Sequence, residues 1–252
     1  MKNNKSEKEK IFKKLISFHK AYKQNLENKD FLLLFYNENE LKKISISFDK
    51  KNFFHLTGLN KTNLLTPNKF YKKLENKTLS LKDIEIKNFT TKKLSASSDM
   101  IKIFNKKSKI ALYNPQNKYQ KKLSIDSGLT LSNSNSILGI RFIDEKKAVP
   151  VSLLKQKLEN ICLKETTTDI VCILKKEKTE EKYNEINENT LSLNEIIKTN
   201  PDIKNLISNE LLNQIDEKEN KKENKWKKTK EINNKWSKKL AKDKEVDLEI
   251  DL

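Results

Sequence analysis

His55 is one of only two histidines in this 252-residue chain, and it lies in the stretch Lys51-Asn-Phe-Phe-His-Leu-Thr-Gly-Leu-Asn60. An imidazole exchanges protons near neutral pH, and Thr57 sets a hydroxyl two residues away. Gly58, one of three glycines, follows at a point where the chain needs conformational freedom, which suggests a Leu-Thr-Gly turn. Spacing alone favours a plainer role, with Phe53, Phe54, Leu56 and Leu59 as core and His55 a hydrogen-bonded core residue. Cys162 and Cys172 each sit in an apolar run, the pattern of buried thiols rather than of a disulfide. Two histidines and two cysteines that do not cluster argue against a zinc site.

The elements that must position these groups can be read from periodicity. Ile11, Leu15, Phe18, Tyr22 and Leu26 recur at steps of three and four, predicting an amphipathic helix over 6–27 with His19 at the edge of its stripe. Phe31 to Tyr36 and Ile44 to Phe48 read as a hairpin around the polar Asn37-Glu-Asn-Glu40. Thr66-Pro67 is a helix cap followed by proline in the first turn. Ser80 and Asp83 resemble a second cap, opening a short helix through Ile84 and Ile86, and Ser95 to Ser98 a third, before Asp99–Phe104.

Beyond Lys109 the period changes to two. Strands are expected at Ile110–Tyr113, in Leu123–Leu131, at Ser136–Ile143 and at Ala148–Leu154, with Pro150 favouring an edge or a strand start. A short helix over 155–163 precedes a last β-branched strand, Asp169–Leu174. The fold class is therefore α+β: N-terminal helices and a hairpin, then a mainly antiparallel sheet. Residues 177–191 read as a charged linker and 192–243 as a helical, lysine-rich extension. In that extension Asn200-Pro201 starts a helix through Ile215, and a thin apolar seam runs through Trp226, Ile232, Trp236 and Leu240. Residues 244–252 form an acidic tail.

A formal net charge of +18 favours a polyanionic partner, although almost all the cations are lysine and Asn is abundant, as AT-rich coding also produces. No apolar run approaches the roughly 18 residues of a membrane span, and the charged N-terminus lacks a signal-peptide core. A cytoplasmic protein with no membrane partner is expected.

Phe53-Phe54-His55-Leu56-Thr57-Gly58-Leu59 after a charged hairpin, with Val149-Pro-Val-Ser-Leu-Leu154 near the end of the sheet, resembles a phage-associated nuclease family. That family is the fourth phage-borne subfamily of the barnase–EndoU–colicin–RelE-like (BECR) group, and the resemblance covers roughly residues 10–176, so that 6–176 is the expected nuclease domain. It implies a metal-independent ribonuclease carried by a phage, plasmid or other mobile element, with RNA as substrate (DNA being the other candidate), an antitoxin or immunity partner, and no cofactor.

Cleaving RNA without a metal requires a group to take the 2′-hydroxyl proton, another to protonate the leaving oxygen, and cations for the phosphorane charge. His55 suits acid or base duty. Arg141, the sole arginine, has a planar fork matched to phosphate; its plainer role is a surface pair with Asp144 or Glu145. Thr57 and Ser152 offer catalytic hydroxyls, while Lys102 and Tyr113 are candidates for holding substrate. A non-catalytic nucleic-acid binder on the same fold, or an interaction module using the C-terminal helices, are the alternative functions.

Overall fold

The computed structural model describes residues 2–60, 65–117, 124–219, 221 and 226–230. The chain divides into two compact units, Met1–Leu206 and Ile207–Leu252. In the second, helix is present over 209–219 and 226–230, and Lys230 stands over the exposed Trp226 ring. Ile232, Trp236, Leu240 and the acidic 244–252 segment lie outside the described residues.

The first unit begins with α1 (Lys2–Asn25), whose predicted stripe is buried along its length, from Ile11 through Leu15, Phe18 and Tyr22 to Leu26 just beyond it. Asn28, in the left-handed region at φ 57°, turns the chain into β1 (Lys29–Asn37). β2 (Glu40–Ser47) returns in full antiparallel register, Asn37 opposite Glu40. Glu38 and Asn39 both take positive φ, the two-residue turn whose twist matches a hairpin.

α2 (Lys50–Thr57), α3 (Pro67–Glu75), α4 (Thr90–Ser95) and α5 (Ser97–Ile103) follow. Thr66 caps α3 as expected, its hydroxyl accepting from the Lys69 N–H. Ser80-Asp83 does not open a helix. The Asp83 carboxylate accepts from the Ser80 N–H and O–H and pairs with Lys73 at 2.7 Å, closing a turn, after which Glu85 bridges back to Asn60. The cap chemistry is present, but only two apolar residues follow, too few to stabilise a helix by burial.

The remaining strands are β3 (Ser108–Leu112), β4 (Ser127–Leu131), β5 (Ile137–Phe142), β6 (Lys147–Leu154), β7 (Thr168–Glu177) and β8 (Glu185–Asn189). They run β1-β2-β6-β5-β4-β3-β7, and β7 pairs again with β1, which closes the sheet into a barrel. Only β2–β6 is parallel, through Ser45–Lys147 and Ile46–Ala148. β6 is thus an interior strand, not an edge. Pro150 is tolerated because the ladder to β2 has ended by that point, so no partner asks for its missing N–H.

β8 lies within the stretch expected to be a linker. It pairs with β7 beside the short β3 contact, and its Glu-Ile-Asn-Glu-Asn sequence hides one apolar residue among polar ones. The 155–163 segment contains a single 3-10 turn, Leu158–Asn160, in place of an α-helix. Helix α6 (Leu193–Thr199) and a 3-10 turn, Pro201–Leu206, end the unit. The expected helix through Ile215 is therefore broken after Leu206.

Aromatic side chains fill the main core: Phe53 of α2 lies 4.9 Å from Phe18 and 5.0 Å from Tyr22, between ring centroids. His19 joins this cluster, only 8% exposed and edge-on to Tyr71 at 4.7 Å, with Nε2 lacking a hydrogen-bond partner among the described residues. Burial holds its pKa below 6.5; Glu75 and Glu27 oppose the shift while Lys23 and Lys50 reinforce it. The unfolded chain therefore binds more protons than the folded one below pH 6.5, and stability falls as pH drops through that value. His19→Leu should flatten this loss while retaining the packing. Urea midpoints at pH 7.5 and 5.5, followed by circular dichroism, would check it; equal pH dependence in both proteins would exclude His19 as the cause.

Candidate active site

α2 carries His55; its start is tied to β6 and its end to α4. At its start the Asp49 N–H donates to Asn52 Oδ1 at 2.8 Å, and buried Asn52 reaches from Nδ2 to the Pro150 carbonyl at 3.5 Å. Phe53, Phe54, Leu56 and Thr57 face inward, leaving His55 and Lys51 on the exposed side. The His55 segment is thus helical up to its end, and the turn begins at Gly58, whose φ of 71° is the left-handed close of the helix.

The carbonyls left open by the helix end are met one by one. Thr57 Oγ1 donates to the Phe54 carbonyl at 2.7 Å, Thr90 Oγ1 donates to that of Gly58 at 2.8 Å, and Lys93 Nζ to that of His55 at 3.3 Å. Lys93 also donates to Ser152 Oγ on β6 at 2.9 Å. Its stem crosses Gly58 so closely that a Cβ there would stand 2.7 Å from Lys93 Cδ.

Among the described residues no carboxylate pairs with Lys93, and burial alone pulls its pKa down to about 8. Roughly a tenth of the population is then a neutral amine at pH 7, a base that an ordinary lysine does not provide. A hydroxyl bonded to a lysine of this kind forms a proton-transfer pair. Nothing in Thr-Thr-Lys-Lys-Leu-Ser95 singles out Lys93 from its neighbours. Only the tertiary fold separates the half-buried Lys93 from the exposed Lys92.

The structure places the residues expected from sequence as follows. Ser152, 2% exposed, meets Lys93, which also binds the His55 backbone. Thr57 is fully buried, and its hydroxyl is occupied by the Phe54 carbonyl and the Leu59 N–H, which makes it a helix-end residue. Arg141 is exposed on β5, two residues along from the Gly139 that pairs with Ser152, and forms no ion pair with Asp144 or Glu145. Lys102 is exposed in the last turn of α5.

Tyr113 is buried in a second cluster with Ile125, Ile137 and Cys162, its hydroxyl without a hydrogen-bond partner among the described residues and its pKa raised by burial. That environment leaves no surface from which Tyr113 could hold substrate. The two histidines are not brought together: His19 packs on the Phe53 side of α2 and His55 lies on its exposed side. Among the described residues no three His, Cys, Asp or Glu side chains are grouped to hold a metal ion, and no helix is long and apolar enough to cross a membrane.

Fold and site together describe an α+β protein in which short helices pack on a closed sheet and half-bury a lysine. Residues 14–194 match the family described as phage-Barnase-EndoU-ColicinE5/D-RelE like nuclease 4, and the chain belongs to that family. It is a nuclease-family domain, with nucleic acid as the substrate class. The match extends past Glu177 and takes in β8, in agreement with the sheet. No curated protein and no solved structure gives a significant match.

Two substitutions separate the helix end from the buried charge. Gly58→Ala forces a left-handed alanine against Lys93 and should cost about 1–3 kcal/mol. Lys93→Met removes a cation that is costly to bury below pH 8, and should raise stability at pH 7 by on the order of 1–2 kcal/mol after the lost hydrogen bonds. Because the folded pKa lies below the unfolded 10.5, wild-type stability should rise between pH 8 and 10.5 and the methionine variant should lack that rise. Urea titrations across this range would show it, and a less stable Lys93→Met protein would contradict the assignment.

Proposed function

We propose that this chain is a metal-independent endoribonuclease, a toxin- or effector-like domain of a phage, plasmid or other mobile element. One observation carries the proposal: a half-buried lysine with no carboxylate partner among the described residues, hydrogen-bonded to Ser152 and to the backbone of His55. Neutral Lys93, directly or through the Ser152 hydroxyl, takes the proton of an RNA 2′-hydroxyl. The 2′-oxygen attacks phosphorus and the bond from phosphorus to the 5′-oxygen breaks, with protonated His55 giving its proton to the leaving oxygen. The products are a 2′,3′-cyclic phosphate and a 5′-hydroxyl end.

The ammonium formed at Lys93 and the Arg141 guanidinium then face the charge of the phosphorane. Lys102, exposed on α5, is assigned to a backbone phosphate. Thr57 and Tyr113 are assigned structural roles, since one hydroxyl is occupied and the other is enclosed. An antitoxin or immunity partner fits the same biological setting.

Cleavage of a defined RNA in EDTA by wild type, His55→Ala, Lys93→Met and Ser152→Ala, each checked by circular dichroism, tests the proposal. His55→Ala and Lys93→Met should each lose about 10²–10⁴ in rate. The wild-type rate should rise with pH as Lys93 loses its proton and fall again as His55 loses the proton it donates, a bell-shaped profile, and end analysis should find cyclic phosphate. Undiminished cleavage by a folded Lys93→Met protein would remove the lysine from the mechanism. No cleavage by wild type, with binding that weakens steeply in salt, would favour the non-catalytic binder.

A further inference from the structure

A hollow of about 560 Å³ lies between α1 and the α4–α5 pair, and its lining contains no carboxylate. The four other described hollows each include at least one Asp or Glu. Lys13 and Lys14 stand on its α1 side, exposed and without an ion pair among the described residues. Elsewhere on this unit many lysines are neutralised locally, as Lys23 and Lys50 are by Glu75 and Lys73 is by Asp83.

The hydroxyls of the hollow divide in the same way. Ser95 and Ser97 donate to the Lys92 and Leu94 carbonyls. Ser17 and Ser98 are exposed and have no protein partner among the described residues. Two ammonium groups and the Ser17 hydroxyl on α1, with the Ser98 hydroxyl on α5 across an apolar floor that includes Phe18, suit a phosphodiester with its sugar against the floor. α4 contributes Leu94 and Ser95 here, so the hollow is walled by the same helix that carries Lys93.

We propose that this hollow is a binding subsite for the backbone of a single RNA strand, with Lys13 and Lys14 each contacting one phosphate. The choice of RNA rests on the proposed ribonuclease activity; the polyanion character rests on the lining alone. Lysine–phosphate contacts release counterions, so each should contribute about 0.7 to the slope of log K against log salt for a single strand.

The test uses the full chain and a fluorescent 2′-O-methyl oligouridylate, which has no free 2′-hydroxyl and cannot be cleaved. Anisotropy titrations between 50 and 200 mM NaCl compare wild type with a Lys13→Gln/Lys14→Gln protein and a charge-matched control, Lys106→Gln/Lys107→Gln. The groove variant should bind about tenfold more weakly, with a slope shallower by about 1.4. The control should lose less than half of that, and Lys13→Arg/Lys14→Arg should restore the slope.

Equal slopes for groove and control variants, or no binding by wild type, would overturn the subsite. The outcome is separate from catalysis. A wild type that binds through this groove but cleaves no RNA would sink the ribonuclease proposal alone. One that cleaves while the groove variant keeps its slope would sink the subsite alone.

Discussion

Closure of the sheet through β1 is the constraint on which the rest of the unit depends. β1 pairs with β2 from Asp30 to Asn37 and with β7 from Lys29 to Phe35, and five successive residues, Phe31 to Phe35, are buried. A strand enclosed on both faces reads as a continuous apolar run rather than an alternating one. With β1 fixed, the barrel can complete itself only if β2 meets β6, and that seam is short: two parallel pairs, after which the strands part. The opening is where α2 and α4 enter. Asn52 takes the Pro150 carbonyl and Lys93 takes Ser152, so the side of β6 that β2 no longer pairs is bonded by side chains from two helices.

The same opening accounts for the electrostatics of the site. A lysine brought there must give up most of its water, and this surface supplies a carbonyl at a helix end and a serine hydroxyl, both neutral. Such groups orient an ammonium without compensating fully for its desolvation, unlike the carboxylate partners of Lys73 or Lys50. A methionine of similar length would suit the packing and avoid the charge. A residue that opposes stability in this way, held by specific contacts, is what a proton-transfer group requires.

Sequence made those parts legible in which local chemistry and burial agree. The α1 stripe, the Thr66-Pro67 cap and the 37–40 turn each have a signal that tertiary packing reinforces. The Ser80-Asp83 cap misled because capping supplies one or two hydrogen bonds, whereas a short helix survives by burying a face. β8 escaped notice because its stability comes from the ladder with β7, to which side-chain polarity is indifferent. At the site, His55 and Ser152 drew attention through the motifs around them. Lys93 could not, since its distinction from the adjacent Lys92 lies in what surrounds it after folding.

The net charge of +18 gains meaning only when divided in this manner. An excess of lysine produced by base composition alone would scatter cations over the surface, and local acids would pair with those within reach. Much of the first unit fits that picture, from Lys23–Glu75 to Lys109–Asp169. Two places set lysine into a recess without an acid: the half-buried Lys93, with no carboxylate partner among the described residues, and the hollow on the α1 side of α4, whose lining contains no carboxylate. Both draw on one six-residue helix, Lys93 for the first and Leu94 and Ser95 for the second. Undirected enrichment in lysine has no reason to leave acids out of these two environments at once. A phosphodiester strand passing along α4 would require both, one for its backbone and the other for its chemistry.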